Sequence, residues 1–166
     1  MNGITKMIAA TSFAVLMCIG ATDAMSQETQ AKLTEAQRLE RLLVSAQKIC
    51  PVTGKGLTSM GGSVKAKLGD RTLYLCCKGC LKGKIDPQHA EQIEKNLIAA
   101  QGKCPIMGKE LPADPKSTVV EGRKVFVCCP PCTEKIKGEP KRHLATVNKL
   151  LAENLSDRRE AGSARR

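Results

Sequence analysis

The chain contains a duplicated segment in which each cysteine of one copy has a counterpart in the other. The first copy reads Cys50-Pro51-Val52-Thr53-Gly54-Lys55, then Leu57, then Arg71-Thr72-Leu73-Tyr74-Leu75-Cys76-Cys77-Lys78-Gly79-Cys80, then Asp86-Pro87. The second reads Cys104-Pro105-Ile106-Met107-Gly108-Lys109, then Leu111, then Arg123-Lys124-Val125-Phe126-Val127-Cys128-Cys129-Pro130-Pro131-Cys132, then Glu139-Pro140. A duplication marks domain boundaries and shows which residues an architecture uses twice. Here they are four cysteines per copy and one aromatic residue, Tyr74 or Phe126, placed two residues before each Cys pair.

Composition explains why the cysteines matter. Aromatic residues make up 2% of the 166 residues and there is no Trp, so the large buried rings that usually dominate a core are missing. Yet 42% of the residues are hydrophobic, which is too many for a disordered chain. Small folded units held partly by something other than apolar burial are therefore expected, and the cysteines can supply it.

The N-terminus reads as a targeting segment. Lys6 precedes an uncharged run from Met7 to Ala21, and Ala21-Thr22-Asp23-Ala24 offers a small-residue cleavage site, so residues 1–24 are expected to be a secretory signal peptide. The run is short for a bilayer span, and no integral membrane span is expected after processing. Cys18 follows Leu16-Met17 where a lipobox places a small residue, so lipidation is not expected. Export to a bacterial periplasm or cell envelope follows. The formal charge of +11 survives processing, because Lys6 and Asp23 leave together. With export, and only Tyr74 and Phe126 left to stack on bases, no nucleic-acid partner is expected. The charge instead solubilises helical surfaces and attracts anionic envelope material.

Each copy is expected to contain a Cys-Pro-x-x-Gly turn, a β-hairpin, a short Cys-bearing helix and a longer amphipathic helix. The hairpins turn at Gly69-Asp70 and Glu121-Gly122, between β-prone runs Ser63–Leu68 and Thr72–Cys76, then Ser117–Val120 and Val125–Cys128. Asp86 caps a helix with Pro87 at its first position, Ala90, Ile93, Leu97 and Ala100 on its apolar stripe, and Gly102 at its end. Pro140 opens the counterpart, with Leu144, Val147, Leu150 and Leu151 on one face. Ahead of both copies, Thr34 and Gln37 suit a capping box before Leu39, Leu42, Leu43 and Ala46 at helical spacing. The expected fold class is α+β, divided into an N-terminal helix in 25–48, repeats at 49–101 and 102–155, and a basic flexible tail over 156–166.

The cysteine spacing brings thiols together. Cys76 and Cys80 at i, i+4 would share a helix face, whereas Cys77 and Cys80 have the C-x2-C spacing of a zinc knuckle, so Cys76 and Cys77 compete for the inner position. The same holds for Cys128, Cys129 and Cys132, and the Cys-Pro turn returns Cys50 or Cys104 toward each group.

The Cys-Pro-Val-Thr-Gly-Lys turn, the hairpin ending in aromatic-x-Cys-Cys-x-x-Cys and the following Asp-Pro resemble the YHS/TRASH-type metal-trafficking domains. The resemblance covers Ile49 to about Ala100 and Lys103 to about Ala152. It implies two tandem treble-clef-like modules, with ligands at Cys50, Cys76 and Cys80 and at Cys104, Cys128 and Cys132, and with Cys77 and Cys129 as fourth ligands or exchange thiols. It also implies up to two ions per chain, Cu(I) or Zn(II), both of which accept thiolates. An envelope metal transporter or metallochaperone would be the partner.

Two other classes remain open. Exported proteins keep cysteines as disulfides, so the eight could form a disulfide-stapled or zinc-stabilised non-catalytic interaction module of the cell envelope, although a bridge between adjacent residues would be strained. A thiol redox protein rests on the vicinal pairs alone. Met107 reads as packing, His89 and His143 as solvated helix residues, and Lys78, Lys82 and Lys84 as surface able to favour nearby thiolates. No Ser-His-Asp set, phosphate loop or repeated carboxylate pair is visible, and no enzymatic activity is expected.

Overall fold

In a computed structural model the structure describes residues 33–163, so the expected signal peptide and Cys18 lie outside the described residues. Helix α1 (Glu35–Gln47) leads into hairpin β1 (Val64–Leu68) and β2 (Arg71–Leu75), a 3-10 helix (Lys78–Lys82) and α2 (Pro87–Gln101). Hairpin β3 (Lys116–Val120) and β4 (Arg123–Val127), α3 (Pro130–Gly138) and α4 (Pro140–Ser163) follow. The fold is α+β, with two separate two-stranded antiparallel sheets. The residues from Glu35 onward form one compact unit.

The register repeats. Val64 faces Leu75 and Leu68 faces Arg71 in the first hairpin, while Lys116 faces Val127 and Val120 faces Arg123 in the second. Both hairpins turn where expected, and each ends in buried residues, Leu73–Leu75 and Val125–Val127, just before the Cys pair.

Two details depart from the expected elements. The short Cys-bearing helix is α-helical only in the second copy, where Pro130 and Pro131 occupy its first positions with φ already set for a helix. The first copy has Lys78-Gly79 there, and glycine's conformational freedom leaves only a 3-10 turn. Likewise, Ser156–Ser163 continues α4 instead of forming a flexible tail. Leu155 is buried and Arg158 Nη2 donates to the Ala99 carbonyl at 2.9 Å, which fastens this part of the helix to α2.

Asp86 caps α2 as expected, accepting from the Gln88 and His89 amides at 2.8 and 3.4 Å. Helix α1 packs on the repeats, and Ala46 joins the cluster around the second copy with Ala100, Val125, Val127, Ile136, Leu144 and Leu151. The cluster around the first copy is smaller, with Leu57, Ala66, Tyr74 and Leu75 around three cysteines. Each fully buried aliphatic side chain contributes about 1.5–3 kcal/mol, so the first copy has little apolar burial of its own. The hairpins also meet directly, because the Thr72 amide donates to the Gly122 carbonyl at 2.7 Å.

Candidate metal centres

Each centre begins at a helix end. The Lys48 amide bonds back to the Val44 carbonyl at 3.0 Å, and the Gly102 amide bonds back to Ile98 at 2.8 Å. Both residues have φ 67°, a positive value that suits Gly102 and strains Lys48, and each is the centre of a tight turn in which the Lys103 amide donates to the Gln101 carbonyl at 2.7 Å and the Ile49 amide to the Gln47 carbonyl at 2.9 Å. The chain then folds into a tight loop. Cys50 N donates to Lys55 O at 2.8 Å and Gly54 N to Cys50 O at 2.9 Å, while Cys104 N to Lys109 O and Gly108 N to Cys104 O are both 2.8 Å.

A buried glutamine clamps each loop to its hairpin. Gln47 Nε2 donates to the carbonyls of Tyr74 at 2.7 Å and Ile49 at 2.9 Å, and its Oε1 accepts from the Tyr74 amide at 2.9 Å. Gln101 repeats this with Phe126 O at 2.6 Å, Lys103 O at 3.0 Å and the Phe126 amide at 3.0 Å. Each glutamine is 2% exposed, and each pairs like an extra strand residue with the aromatic that precedes the cysteines. An asparagine from the following long helix closes the joint. Asn96 Nδ2 donates to Gln47 O at 3.1 Å, and Asn154 Nδ2 donates to Gln101 O at 2.9 Å. Helix α1 therefore serves the first copy as α2 serves the second. Neither the glutamines nor the asparagines figured among the expected site residues, although Gln stands three positions before Cys-Pro in both copies.

The loop and the strand end bring three sulfurs together. The Sγ atoms of Cys50, Cys76 and Cys80 lie within 4.8 Å of one another, as do those of Cys104, Cys128 and Cys132. Cys76 reaches Cys80 at 3.7 Å, not along a helix face but from the last extended residues, with Cys77 extended at φ −162° before the helical turn begins. The Cys80 amide then donates to the Cys77 carbonyl at 3.2 Å, and the Cys132 amide to Cys129 at 3.1 Å. With metal–sulfur bonds of about 2.3 Å, sulfurs sharing one ion stand about 3.8 Å apart in tetrahedral and about 4.0 Å apart in trigonal coordination. The 3.7 Å Cys76–Cys80 pair matches this spacing, and the remaining sulfurs of each triad lie within 4.8 Å, close enough to close around one cation after small side-chain adjustments.

Cys77 and Cys129 stand beside the triads. Cys77 Sγ is 3.6 Å from Cys80 Sγ, and Cys129 Sγ is 3.1 Å from Cys132 and 3.8 Å from Cys128. Both are half-buried, whereas Cys50, Cys80, Cys104 and Cys132 are buried, and all eight described cysteines are free thiols.

The loops favour thiolates at their first cysteine. Burial, the largest influence, pushes the Cys50 thiol up, but the backbone amides of Cys76, Thr53 and Val52 and the Thr53 hydroxyl together bring it down to about 6. Cys104 is likewise lowered against its burial, by the amides of Cys128, Met107 and Ile106. The backbone amides of Thr53 and Met107 act alike in the two copies, and the Thr53 hydroxyl adds a donor that Met107 lacks. The Met107 side chain points outward, 51% exposed, and packs into no core. The Thr53 hydroxyl adds a contact of 3.4 Å to Cys76 Sγ.

Burial drives the last thiols the other way, with Cys80 pushed up to about 12 and Cys132 raised as well, assisted by the neighbouring thiols. Burial also raises Cys128. Cys77 is lowered by the amide and thiol of Cys80, and Cys129 by the thiol and amide of Cys132. Backbone and thiol donors hold Cys77 down, not the exposed Lys78, Lys82 and Lys84. Each centre thus combines a first cysteine whose thiol is made more acidic with a last cysteine whose thiol holds its proton more tightly, and a bound cation would displace both protons.

Neither histidine belongs to a triad. His89 is not a solvated helix residue, because its ring fills the space above Gly54 and its buried Nδ1 has no partner among the described residues. A Cβ at Gly54 would lie 2.5 Å from His89 Nε2, so the loop and α2 touch closely there. His143 lies near Pro105 and Ile106 on the second loop.

Among the described residues no helix is long and apolar enough to cross a membrane. The chain matches no protein-family model, no curated protein and no solved structure.

Proposed function

We propose that the chain is an exported, non-catalytic metal-binding protein of the YHS/TRASH type, with treble-clef-like modules at 49–101 and 102–155. Each module takes one soft or borderline cation, Cu(I) or Zn(II), as cargo for trafficking, sequestration or resistance. An envelope metal transporter or metallochaperone is the exchange partner. The observation that carries this reading is the pair of triads, in which three sulfurs converge at equivalent positions of both copies. Thiolates suit these ions, and an amide-stabilised Cys50 or Cys104 gives an arriving cation its first ligand. Cys77 and Cys129, less buried than the innermost sulfurs, are the thiols through which an ion would pass by ligand exchange.

Elemental analysis of the protein purified anaerobically from its own envelope, with a count of free thiols, tests the proposal. Copper or zinc approaching two per chain with the thiols unoxidised is the expected result. A metal-free chain with its cysteines paired as disulfides would favour the stapled interaction module instead.

A further inference from the structure

Between the two hairpins lies a cavity of about 430 Å3 that no cysteine lines. It is lined by residues of β1, β2 and β4 and of α1, α2 and α4. Part of its wall is apolar, with Leu39, Leu43, Leu97, Leu144 and Leu151, and polar and charged side chains make up the rest. The volume falls in the range of small-ligand pockets, about 300–1,000 Å3, in which a few polar groups orient a mostly apolar ligand.

Two such groups are present, Arg123 and Tyr74; neither forms an ion pair with a described residue, and Glu121 and Glu40 act on them only at longer range. Arg123 Nη1 donates to the neutral Asn148 Oδ1 at 2.7 Å, and the guanidinium forms no ion pair with the described residues. Tyr74 is 3% exposed, and its hydroxyl makes no hydrogen bond to a described residue. The other interior cations, Arg71 and Lys124, share one carboxylate, Glu94, with Arg71 at 3.4 Å, which leaves the cavity with a net positive charge. Exposed Lys65 and Lys141 add positive charge at the edge, against the exposed Glu121.

A guanidinium withdrawn from water without a counter-ion is costly, and a carboxylate relieves that cost through paired hydrogen bonds. One planar guanidinium and one hydroxyl offer donors enough for a two-oxygen monoanion, but too few for a phosphate dianion. The leucine wall in turn calls for a hydrocarbon tail.

We propose that this cavity binds a small amphiphilic monocarboxylate, with its carboxylate on Arg123 and the Tyr74 hydroxyl and its tail among the leucines. No cysteine lines the site, although the clamp glutamines Gln47 and Gln101 do. The chain has one Tyr and no Trp, so tyrosine emission reports this cavity directly.

The test titrates the reduced full chain with decanoate, decanol or acetate below micellar concentrations, following tyrosine emission and heat. Decanoate is expected to saturate at one per chain and to change the emission, with decanol and acetate at least about tenfold weaker. Arg123→Gln is expected to weaken decanoate about tenfold or more while its melting curve stays cooperative. Tyr74→Phe, read by heat alone, keeps the ring and removes only the hydroxyl, and is also expected to weaken decanoate. Unchanged emission with decanoate, equal binding of decanol, or undiminished decanoate affinity in Arg123→Gln would each overturn the proposal.

Discussion

Replacing Gln101 by Met isolates the clamp at the second centre. Methionine has nearly the same length and volume and leaves no cavity, so the change removes hydrogen bonds and little else. Three bonds of 2.6, 3.0 and 3.0 Å are lost, to Phe126 O, Lys103 O and the Phe126 amide. At about 1 kcal/mol net per bond this is about 3 kcal/mol, and leaving the Phe126 N–H and C=O buried without partners raises the cost toward about 5 kcal/mol. For a domain of this size about 4 °C accompanies each kcal/mol, so a melting temperature lower by about 12–20 °C is expected. Urea denaturation of the reduced, metal-loaded protein measures the loss directly, and an unchanged denaturant slope shows that both states remain comparable. Gln88→Met, on the exposed first turn of α2, is the control and should stay within about 0.5 kcal/mol of wild type. A loss below about 1 kcal/mol for Gln101→Met would refute the clamp.

Three further outcomes follow from the centres. Cys76→Ser with Cys128→Ser removes a member of each triad and should abolish tight binding, whereas Cys77→Ser with Cys129→Ser should retain both ions but slow their transfer to a competing chelator. Competition titrations and transfer kinetics separate these outcomes, and the reverse pattern would make C-x2-C the binding unit. Lys48→Gly relieves a positive-φ non-glycine residue at the position occupied by Gly102 in the second copy, and should stabilise the protein by about 0.5–1 kcal/mol in urea denaturation. In the metal-free reduced protein, Cys50 should hold a thiolate down to about pH 6. Its folded value lies below the ordinary thiol range near 9, so the stability it contributes is present above that range and declines as pH falls through about 6. Ultraviolet thiolate absorbance between about pH 6 and 7 should fall by about one thiolate in Cys50→Ser relative to wild type; an unchanged signal there would contradict it.

The parts of the molecule legible in the sequence are those set by local chemistry. Gly69-Asp70 and Glu121-Gly122 announce turns, and Asp86-Pro87 announces a capped helix start, because each acts on its own backbone within a few residues. The cysteine spacing likewise shows which thiols recur. Gln47 and Gln101 escaped because their partners, Tyr74 and Phe126, lie 27 and 25 residues away, and a polar residue at a helix end usually faces water. The contact of His89 with Gly54 and the attachment of Arg158 to Ala99 are long-range for the same reason. The contrast between a 3-10 turn and an α-helix was within reach, since Lys78-Gly79 and Pro130-Pro131 differ openly at the positions that decide it. The order within each Cys pair depends on where the strand ends, and only the three-dimensional arrangement assigns Cys76 and Cys128 to the inner sets.

The most direct test is a native mass-spectrometric titration of the reduced chain with Cu(I) and, separately, Zn(II), run alongside Cys50→Ser and Cys104→Ser. If each triad holds one ion, the wild type takes up two and each variant keeps one, with the remaining site filling at unchanged affinity. Wild-type uptake with no defined stoichiometry, or uptake unaffected by either substitution, would contradict metal binding by the triads.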